Sequence, residues 1–212
     1  MKKIFLGLFV ALMVPLQAIG QVNLWEEGEH YQVLDEKLSS KPIVKEYFSF
    51  WCPACFRFES MVGELQQQLP EKVKFEKVHV NFMGFTTEPI QDHATLAMKI
   101  AERLDNGDFL KSRMFDYIHV QQQGKNISSL EDFRRLFIVN GVEPEEFDKY
   151  ANGFAGKSLL VRNNNDVKKN RAYLGSVPNF IVNGKYQVLL GAEGLETSQD
   201  YIDLILWLLE QK

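Results

Sequence analysis

Two cysteines separated by two residues constrain this chain more than any other feature. Cys52 and Cys55 are its only cysteines, and they follow an apolar, aromatic-rich run of strand length that begins at Ile43. A helical pattern starts directly after them. Its apolar residues recur at three- and four-residue spacing, namely Phe58, Met61, Val62, Leu65 and Leu69. The pair is therefore predicted to lie where a strand ends and a helix begins.

This position favours redox chemistry at the two sulfurs. A thiolate is the nucleophile in disulfide exchange. Unpaired backbone N–H groups and the positive end of the helix dipole stabilise a negative charge at a helix N-terminus. Pro53 suits the first helical turn, where its missing N–H is no loss. We predict Cys52 to be the more exposed, attacking residue, and Cys55, one turn further in, to be the buried, resolving residue.

Two structural alternatives for the cysteine pair are less well supported. A disulfide stabilises a protein by restricting its unfolded chain, and a four-residue loop gives only about 2 kcal/mol against nearly 5 kcal/mol for a hundred-residue loop. Half of a zinc site is the other alternative, but a structural zinc site needs about four ligands. The four histidines are scattered along the chain without the close spacing of zinc ligands. No metal and no other cofactor is predicted.

The first twenty residues have the pattern of a secretory signal peptide. Lys2 and Lys3 precede an unbroken apolar segment, and small residues follow at the expected cleavage site. Cleavage is expected near Gly20, with Ala18 as the second choice. A retained membrane anchor is the weaker alternative, because the apolar segment is too short to span a bilayer comfortably. An exported protein occupies an oxidising compartment, where a cysteine pair can form a disulfide.

The charge of the chain excludes two classes of partner. Among 212 residues, 24 are basic and 28 acidic. Without Lys2 and Lys3 the remaining 22 basic residues face 28 acidic ones, a net charge of −6. This balance argues against a nucleic acid or an anionic membrane as partner.

Two charged residues are predicted inside the sheet. Ile43–Trp51 and Val73–Val80 carry apolar residues on both faces, which is typical of central strands. Glu46 shares a face with Phe48 and Phe50, and Lys77 has the parity of the apolar residues on its own strand. A buried ammonium is costly unless it is paired, so Glu46 is the expected partner of Lys77. A solvated ion pair is an equally good interpretation of the spacing alone.

The remaining elements predict an α/β fold with a helical insertion. Five helices are predicted between residues 85 and 170, beginning at Pro89, Phe109, the Ser128–Glu131 capping box, Pro144 and Phe154. A hairpin follows, with strands Asn179–Val182 and Tyr186–Leu190 around an Asn-Gly turn, and a last helix is capped by Thr197 and Asp200. We therefore divide the chain into a signal peptide (1–20), a sheet-containing domain (21–84 and 171–212) and an inserted all-helical domain (85–170).

Three segments carry a resemblance to a known family. They are Glu46–Glu59 around the cysteines, Lys77–Gly84, and Gly175–Tyr186 with its Val-Pro pair. In this order and behind a signal peptide, they resemble the DsbA family of periplasmic thiol:disulfide interchange proteins within the thioredoxin superfamily. The resemblance implies a thioredoxin fold interrupted by the helical domain.

The resemblance also implies roles for individual residues. Pro178 would be a cis-proline facing the sulfurs, and its backbone, with that of Val177, would pair with an extended substrate peptide. Glu46 and Lys77 match the acidic–basic pair of the family, which would handle protons as Cys55 alternates between thiol and disulfide. An apolar groove beside Cys52 is implied by the remaining matches: Phe58, Phe82 and Met83.

One position departs from the family pattern. The family commonly has a histidine between the proline and the second cysteine, where this chain has Ala54. Alanine offers neither a charge nor a side-chain donor, so the Cys52 thiolate is expected to be less stabilised and the disulfide less oxidising. Arg57, which follows the motif, is interpreted either as a residue that biases the choice of clients or as a solvated surface residue.

The predicted function is periplasmic dithiol oxidation by a monomer. The Cys52–Cys55 disulfide would be donated to reduced exported proteins through a mixed disulfide, and a DsbB-type membrane quinone reductase is implied as the reoxidant. One alternative keeps the chemistry but uses it in reverse, as a reductase or isomerase with a less oxidising site. Another is a peptide-binding, chaperone-like module in which the groove matters more than the sulfurs.

Overall fold

The sheet of this protein has five strands and mixed direction. The computed structural model describes residues 25–211, so the predicted signal peptide lies outside the described residues. The strands are β1 (Tyr31–Val33), β2 (Ile43–Phe48), β3 (Lys74–His79), β4 (Asn179–Val182) and β5 (Tyr186–Val188). Their order across the sheet is β1-β5-β4-β2-β3, in which only β2 and β3 are parallel.

The structure confirms β2 as a central strand and corrects the position of β3. The prediction that Val73–Val80 is also central is wrong, because β3 forms the edge of the sheet beside β2. Its second half, Lys77–His79, is nevertheless buried, because the helix Phe154–Asn170 packs beside it. Asn163 of that helix accepts a hydrogen bond from the backbone N–H of His79 and donates one to its carbonyl oxygen. A side chain thus satisfies backbone groups on this edge strand.

Helices α1 and α7 pack on one face of the sheet. Helix α1 (Pro53–Gln68) connects β2 to β3, and α7 (Ser198–Leu209) closes the chain. Thr197 and Asp200 form the predicted capping box of α7. The two helices enclose a core with the sheet, and its buried members include Met61, Leu65, Phe180, Ile205 and Leu208.

A block of helices covers the other face of the sheet. Its members are α2 (Glu88–Ala101), α3 (Gly107–Phe115), α4 (Leu130–Val139), α5 (Pro144–Ala151) and α6 (Phe154–Asn170), with a π-helical turn over Asp116–Val120 and a 3₁₀ turn over Gln123–Lys125. Five helices begin within a few residues of the predicted positions. The α4 capping box is formed by Ser129 and Asp132, one residue later than predicted.

The second core contains both cysteines and joins the sheet to the helical block. Its buried residues include Phe48, Cys55, Met98, Phe115 and Phe137. No helix within residues 25–211 is both long and apolar enough to cross a membrane. The fold is a thioredoxin-like sheet with a helical insertion between β3 and β4. The proposed limits of the inserted domain, 85 and 170, remain a prediction.

Candidate active site

Cys52 is the N-cap residue of α1. Its backbone is extended, with φ −83° and ψ 114°, and its Sγ accepts a hydrogen bond from the backbone N–H of Cys55 at 3.2 Å. Pro53 begins the helix directly after it. An N-cap side chain normally supplies an oxygen to the unpaired N–H groups of the first turn. Here the Cys52 sulfur takes the place of that oxygen. The N–H groups of the first helical turn therefore point toward the atom that is predicted to react.

The surroundings of Cys52 lower the pKa of its thiol to about 6. The largest cause is its hydrogen bond with the side chain of Cys55, and the backbone N–H groups of Cys55 and Ala54 and the charge of Arg57 add to it, while burial opposes it. The pKa of Cys55 moves in the opposite direction. Burial raises it most, and the contact with Cys52 raises it further. The surroundings thus favour the thiolate form of Cys52 and the protonated form of Cys55.

Both cysteines are free thiols in this structure, and both are largely covered. Cys52 is 4% exposed and Cys55 is 0% exposed. The predicted order of exposure is therefore found, but the difference is small. The pKa values of the two thiols differ far more than their exposed fractions do.

The Val177–Pro178 peptide bond is cis and faces Cys52. As a thiol, Cys52 donates from Sγ to the carbonyl oxygen of Val177 at 3.4 Å. This contact brings the segment before β4 against the N-terminus of α1. The Val177–Pro178 pair thus lies where the sequence resemblance implies. The role of this pair in peptide binding stays a prediction.

A buried cluster of charges lies behind the cysteines. Glu46 and Lys77 face each other in the register of β2 and β3, and Lys77 Nζ is 2.9 Å from Oε2 of Glu46. Lys77 also donates to Oε1 of Glu59 on α1 at 2.5 Å. Glu46 is 0% exposed and Lys77 6%, so the solvated ion pair of the sequence interpretation is not what forms.

The cluster holds one excess negative charge when all three groups are ionised. Burial is the main cause that raises the pKa of Glu46 to about 7, against the attraction of Lys77. Burial alone would lower the pKa of Lys77, but the attraction of Glu46 and Glu59 outweighs it and the pKa is raised. Apart from the ion pair, neither Glu46 oxygen accepts a hydrogen bond from the described residues. The carboxyl of Glu46 can therefore gain and lose a proton near neutral pH.

Sequence reasoning missed Glu59 as the third member of this cluster. A signal was present, because Glu59 follows Cys55 by four residues and thus lies on the same helical face. Glu46 and Lys77 could be paired from strand parity alone. The contribution of α1 depended on how the helix packs against β3, which parity does not reveal.

The three predicted groove residues lie in two different places. Phe82 and Met83 are partly buried and pack against the core cluster that contains Cys52 and Cys55. Phe58 packs instead in the core under α7, with its ring against Phe180 and Tyr201. The prediction that Phe58 lines a groove together with Phe82 and Met83 is therefore corrected: its side of α1 faces the sheet and α7.

Comparisons with known proteins agree with this arrangement. A family model described as "DSBA-like thioredoxin domain" matches residues 43–203. The chain belongs to the DsbA-like thioredoxin family. Over the full length of both chains, this DsbA-like protein is 34% identical to the thiol:disulfide interchange protein DsbA of Escherichia coli strain K12 and 31% identical to that of Salmonella typhimurium.

Solved structures of DsbA share the same fold. The disulfide oxidoreductase DsbA of Proteus mirabilis matches with a TM-score of 0.77 and 28% identity, over 88% of this chain and 98% of that one. A Proteus mirabilis DsbA variant in complex with a non-covalently bound peptide matches with a TM-score of 0.77 and 27% identity, over 88% and 99%. This DsbA-like chain is accordingly a thiol:disulfide oxidoreductase. Within its described residues, no group of three or more candidate ligand side chains is arranged to hold a metal.

Proposed function

We propose that this chain is a periplasmic dithiol oxidase in which Cys52 exchanges disulfides with exported proteins and Cys55 resolves. The observation that carries the proposal is the opposite behaviour of the two thiols. The pKa of Cys52 is lowered to about 6 at the N-cap of α1, whereas burial raises that of Cys55. A stable Cys52 thiolate favours the reduced form of the enzyme, and thereby oxidation of the client.

The reaction proceeds by two thiol–disulfide exchanges. A client thiolate attacks Cys52 Sγ in the Cys52–Cys55 disulfide, the sulfur–sulfur bond breaks, and Cys55 leaves as a thiolate that takes up a proton. The second client thiolate then attacks the client sulfur of the mixed disulfide, and Cys52 leaves as a stabilised thiolate. The client loses two electrons and the enzyme gains them.

Glu46 is proposed to handle the proton of Cys55. Its carboxyl is buried behind the cysteines, its pKa is raised to about 7 by burial, and its negative charge contributes to the raised pKa of Cys55. Lys77 holds Glu46 in place and moderates its charge. Val177 and Pro178 are proposed to contact the client peptide next to Cys52, with Phe82 and Met83 as apolar contacts. The peptide complex of the Proteus mirabilis relative supports a peptide site in this family.

Reoxidation is proposed to come from a membrane quinone reductase of the DsbB type. Each turnover leaves the enzyme with two thiols, so a disulfide donor is needed to restore Cys52–Cys55. The signal-peptide pattern and the similarity to DsbA proteins support a periplasmic location, where such a partner faces the enzyme.

A trapping experiment tests the assignment of the two sulfurs. Oxidation of a reduced two-cysteine peptide should be lost in both Cys52→Ser and Cys55→Ser. The Cys55→Ser protein, first activated as a mixed disulfide with a small aromatic thiol, should form a lasting mixed disulfide through Cys52 with a peptide that has a single cysteine, because no second thiol is present to resolve it. Activity retained in Cys52→Ser would contradict the proposal and favour a peptide-binding module. Stronger insulin reduction or ribonuclease unscrambling than peptide oxidation would favour the reductase or isomerase alternative.

A further inference from the structure

Two arginine side chains without a carboxylate partner belong to the surroundings of the proposed peptide site: Arg57 follows Cys52 on α1, and Arg171 contacts Phe82. Arg57 lies on α1 and Arg171 at the C-terminal end of α6, and both are exposed. Neither forms an ion pair with a carboxylate among residues 25–211, although the chain has more acidic than basic residues. Other exposed cations in this range, Lys72 among them, also lack such a partner, so the positions of these two arginines, and not their lack of a carboxylate, carry the argument.

Arg57 lies in the second turn of the helix that Cys52 caps. It lies five residues after the N-cap, and its charge contributes to the lowered pKa of Cys52. The positions three and four residues away on α1 are Pro53, Ala54, Ser60 and Met61, which offer no carboxylate. Glu59, two residues along, lies toward the opposite face and contacts Lys77. The first turn of α1 also contains no acidic residue.

Arg171 is held by two contacts, one of them with a residue of the proposed peptide site. Its guanidinium carbon lies 3.8 Å above the ring centroid of Phe82, and Nη1 donates to the carbonyl oxygen of Leu174 at 3.2 Å. It thus ties the segment that leads to Val177 and Pro178 to the loop after β3. Asp166, on the preceding turns of α6, already contacts Lys45 and Tyr47, so it leaves Arg171 unpaired.

The two contacts change the chemistry of the proposed peptide site. The face of Phe82 is covered by a planar cation, which keeps further N–H donors free. A guanidinium binds a carboxylate through two parallel hydrogen bonds, which gives orientation as well as attraction. A helix C-terminus favours a cation at Arg171, but this does not account for the stacking on Phe82.

We infer that Arg57 and Arg171 select clients that carry aspartate or glutamate next to the cysteine to be oxidised. The inference rests on the proposed function, because it concerns which peptides reach Cys52. A client carboxylate on either side of its cysteine meets a guanidinium when its sulfur approaches Cys52. A lysine at the same place meets repulsion.

The test compares three reduced two-cysteine peptides that differ only in the residues flanking the first cysteine, which are glutamate, glutamine or lysine. Rates of oxidation by the oxidised, full-length mature protein are measured by stopped-flow fluorescence at low salt. Dithiothreitol, a neutral dithiol, reports the intrinsic reactivity of the disulfide. Each exposed charge contact is worth on the order of threefold in rate, so we expect the glutamate peptide to react about tenfold faster than the lysine peptide.

Matched variants separate selectivity from reactivity. Arg57→Gln and Arg171→Gln should each reduce the glutamate-to-lysine ratio about threefold, and the double variant should bring it close to one. Lys72→Gln removes an equal charge near the start of β3, at the end of the parallel β2–β3 pair opposite the cysteines, and should leave the ratio unchanged. Salt near 0.5 M, where charges are screened within a few ångströms, should reduce the wild-type ratio toward one.

Two results have different meanings. Equal rates for all three peptides in the wild type would overturn the inference, and so would a glutamate-to-lysine ratio that persists in the double variant. In either case, normal oxidation of dithiothreitol would leave the proposed function intact. Failure to oxidise dithiothreitol and every peptide would overturn the proposed function itself, and the inference with it.

Discussion

At the residue scale, Ala54 limits the number of hydrogen-bond donors around the Cys52 sulfur. Ala54 contributes only its backbone N–H, and its half-buried methyl group packs against the core that holds the cysteines. The pKa of Cys52 is nevertheless lowered to about 6, so contacts from Cys55, the helix backbone and Arg57 account for this acidity without a side chain at position 54. A cationic side chain at this position would add to them.

A histidine at position 54 should make Cys52 more acidic. In Ala54→His we expect the pKa of Cys52 to fall by about one unit, since a nearby positive charge favours the thiolate. The ultraviolet absorbance of the thiolate, followed against pH in the reduced protein, measures this change. Ala54→Gln is the matched control, because it adds a side chain of similar size without a charge. Equal pKa values in the histidine and glutamine variants would show that charge at this position is not what matters.

Glu46 should impose a pH dependence on folding. Its pKa of about 7 in the folded protein lies above the ordinary value of 4.5, so the folded state binds more protons between these pH values and stability falls as pH rises through this window. The contribution is on the order of 3 kcal/mol. In reduced Glu46→Gln we expect this decline to disappear.

Urea unfolding of both reduced proteins from pH 4.5 to 7 measures the effect. The difference between wild type and Glu46→Gln isolates the carboxyl from other titrating groups. If this difference were constant with pH, Glu46 would not titrate in this range, and its proposed part in proton handling would lose its basis.

At the scale of secondary structure, α6 makes a buried polar contact from a segment of low helix propensity. Three consecutive asparagines, Asn163–Asn165, are poor helix formers, yet α6 continues through them. Asn163 is buried and bonds to both backbone groups of His79, which docks the helix on the edge strand β3. Tertiary hydrogen bonds therefore compensate for low helix propensity.

Removing the Asn163 side chain should destabilise the protein far more than removing its neighbour. We expect Asn163→Ala to lower the free energy of unfolding by about 2 to 3 kcal/mol, because it leaves the N–H and carbonyl of His79 buried without partners. Asn165→Ala is the matched control, since Asn165 is exposed on the same helix and should change stability by less than about 0.5 kcal/mol. Chemical denaturation of the three proteins gives both values. Similar losses in the two variants would contradict the docking role.

Local sequence signals predicted where helices and strands begin and end better than they predicted which elements lie next to each other. Helix starts at Pro144 and Phe154, and the cap at Thr197, follow from residue chemistry within one turn, and the structure has them as predicted. The edge position of β3 could not be predicted in this way, because a strand covered by α6 has the same apolar pattern as a central one. Phe58 was misplaced for a related reason: its helical spacing shows that it faces inward, but not which core it enters.

At the scale of the whole molecule, the two cores connect the redox site to the stability of the fold. The cysteines lie in the core shared by the sheet and the helical block, so the thiolate of Cys52 contributes to the stability of the reduced protein as a whole. The more stable the reduced protein is relative to its oxidised form, the more strongly the enzyme oxidises its clients. The stabilisation that the Cys52 thiolate gives is therefore also a measure of oxidising power.

Stability of the reduced protein should rise with pH through this thiolate. The pKa of Cys52 in the folded protein, about 6, lies below its ordinary value of 9, so between these values the unfolded state binds more protons and folding gains stability as pH increases. We expect a gain of about 2 kcal/mol between pH 6 and 9 relative to Cys52→Ser, after allowance for solvent screening near the surface. Urea unfolding under reducing conditions measures it. A parallel pH dependence in wild type and variant would contradict the account.

The most direct measurement is the pH dependence of alkylation in the reduced, folded protein. Modification by iodoacetamide is followed over time, and peptide masses identify which cysteine has reacted. We predict that Cys52 reacts first, with a rate that reaches half its maximum near pH 6, while Cys55 stays unmodified. Faster reaction of Cys55, or a midpoint near 9 for Cys52, would contradict the claim that the start of α1 holds Cys52 as a thiolate.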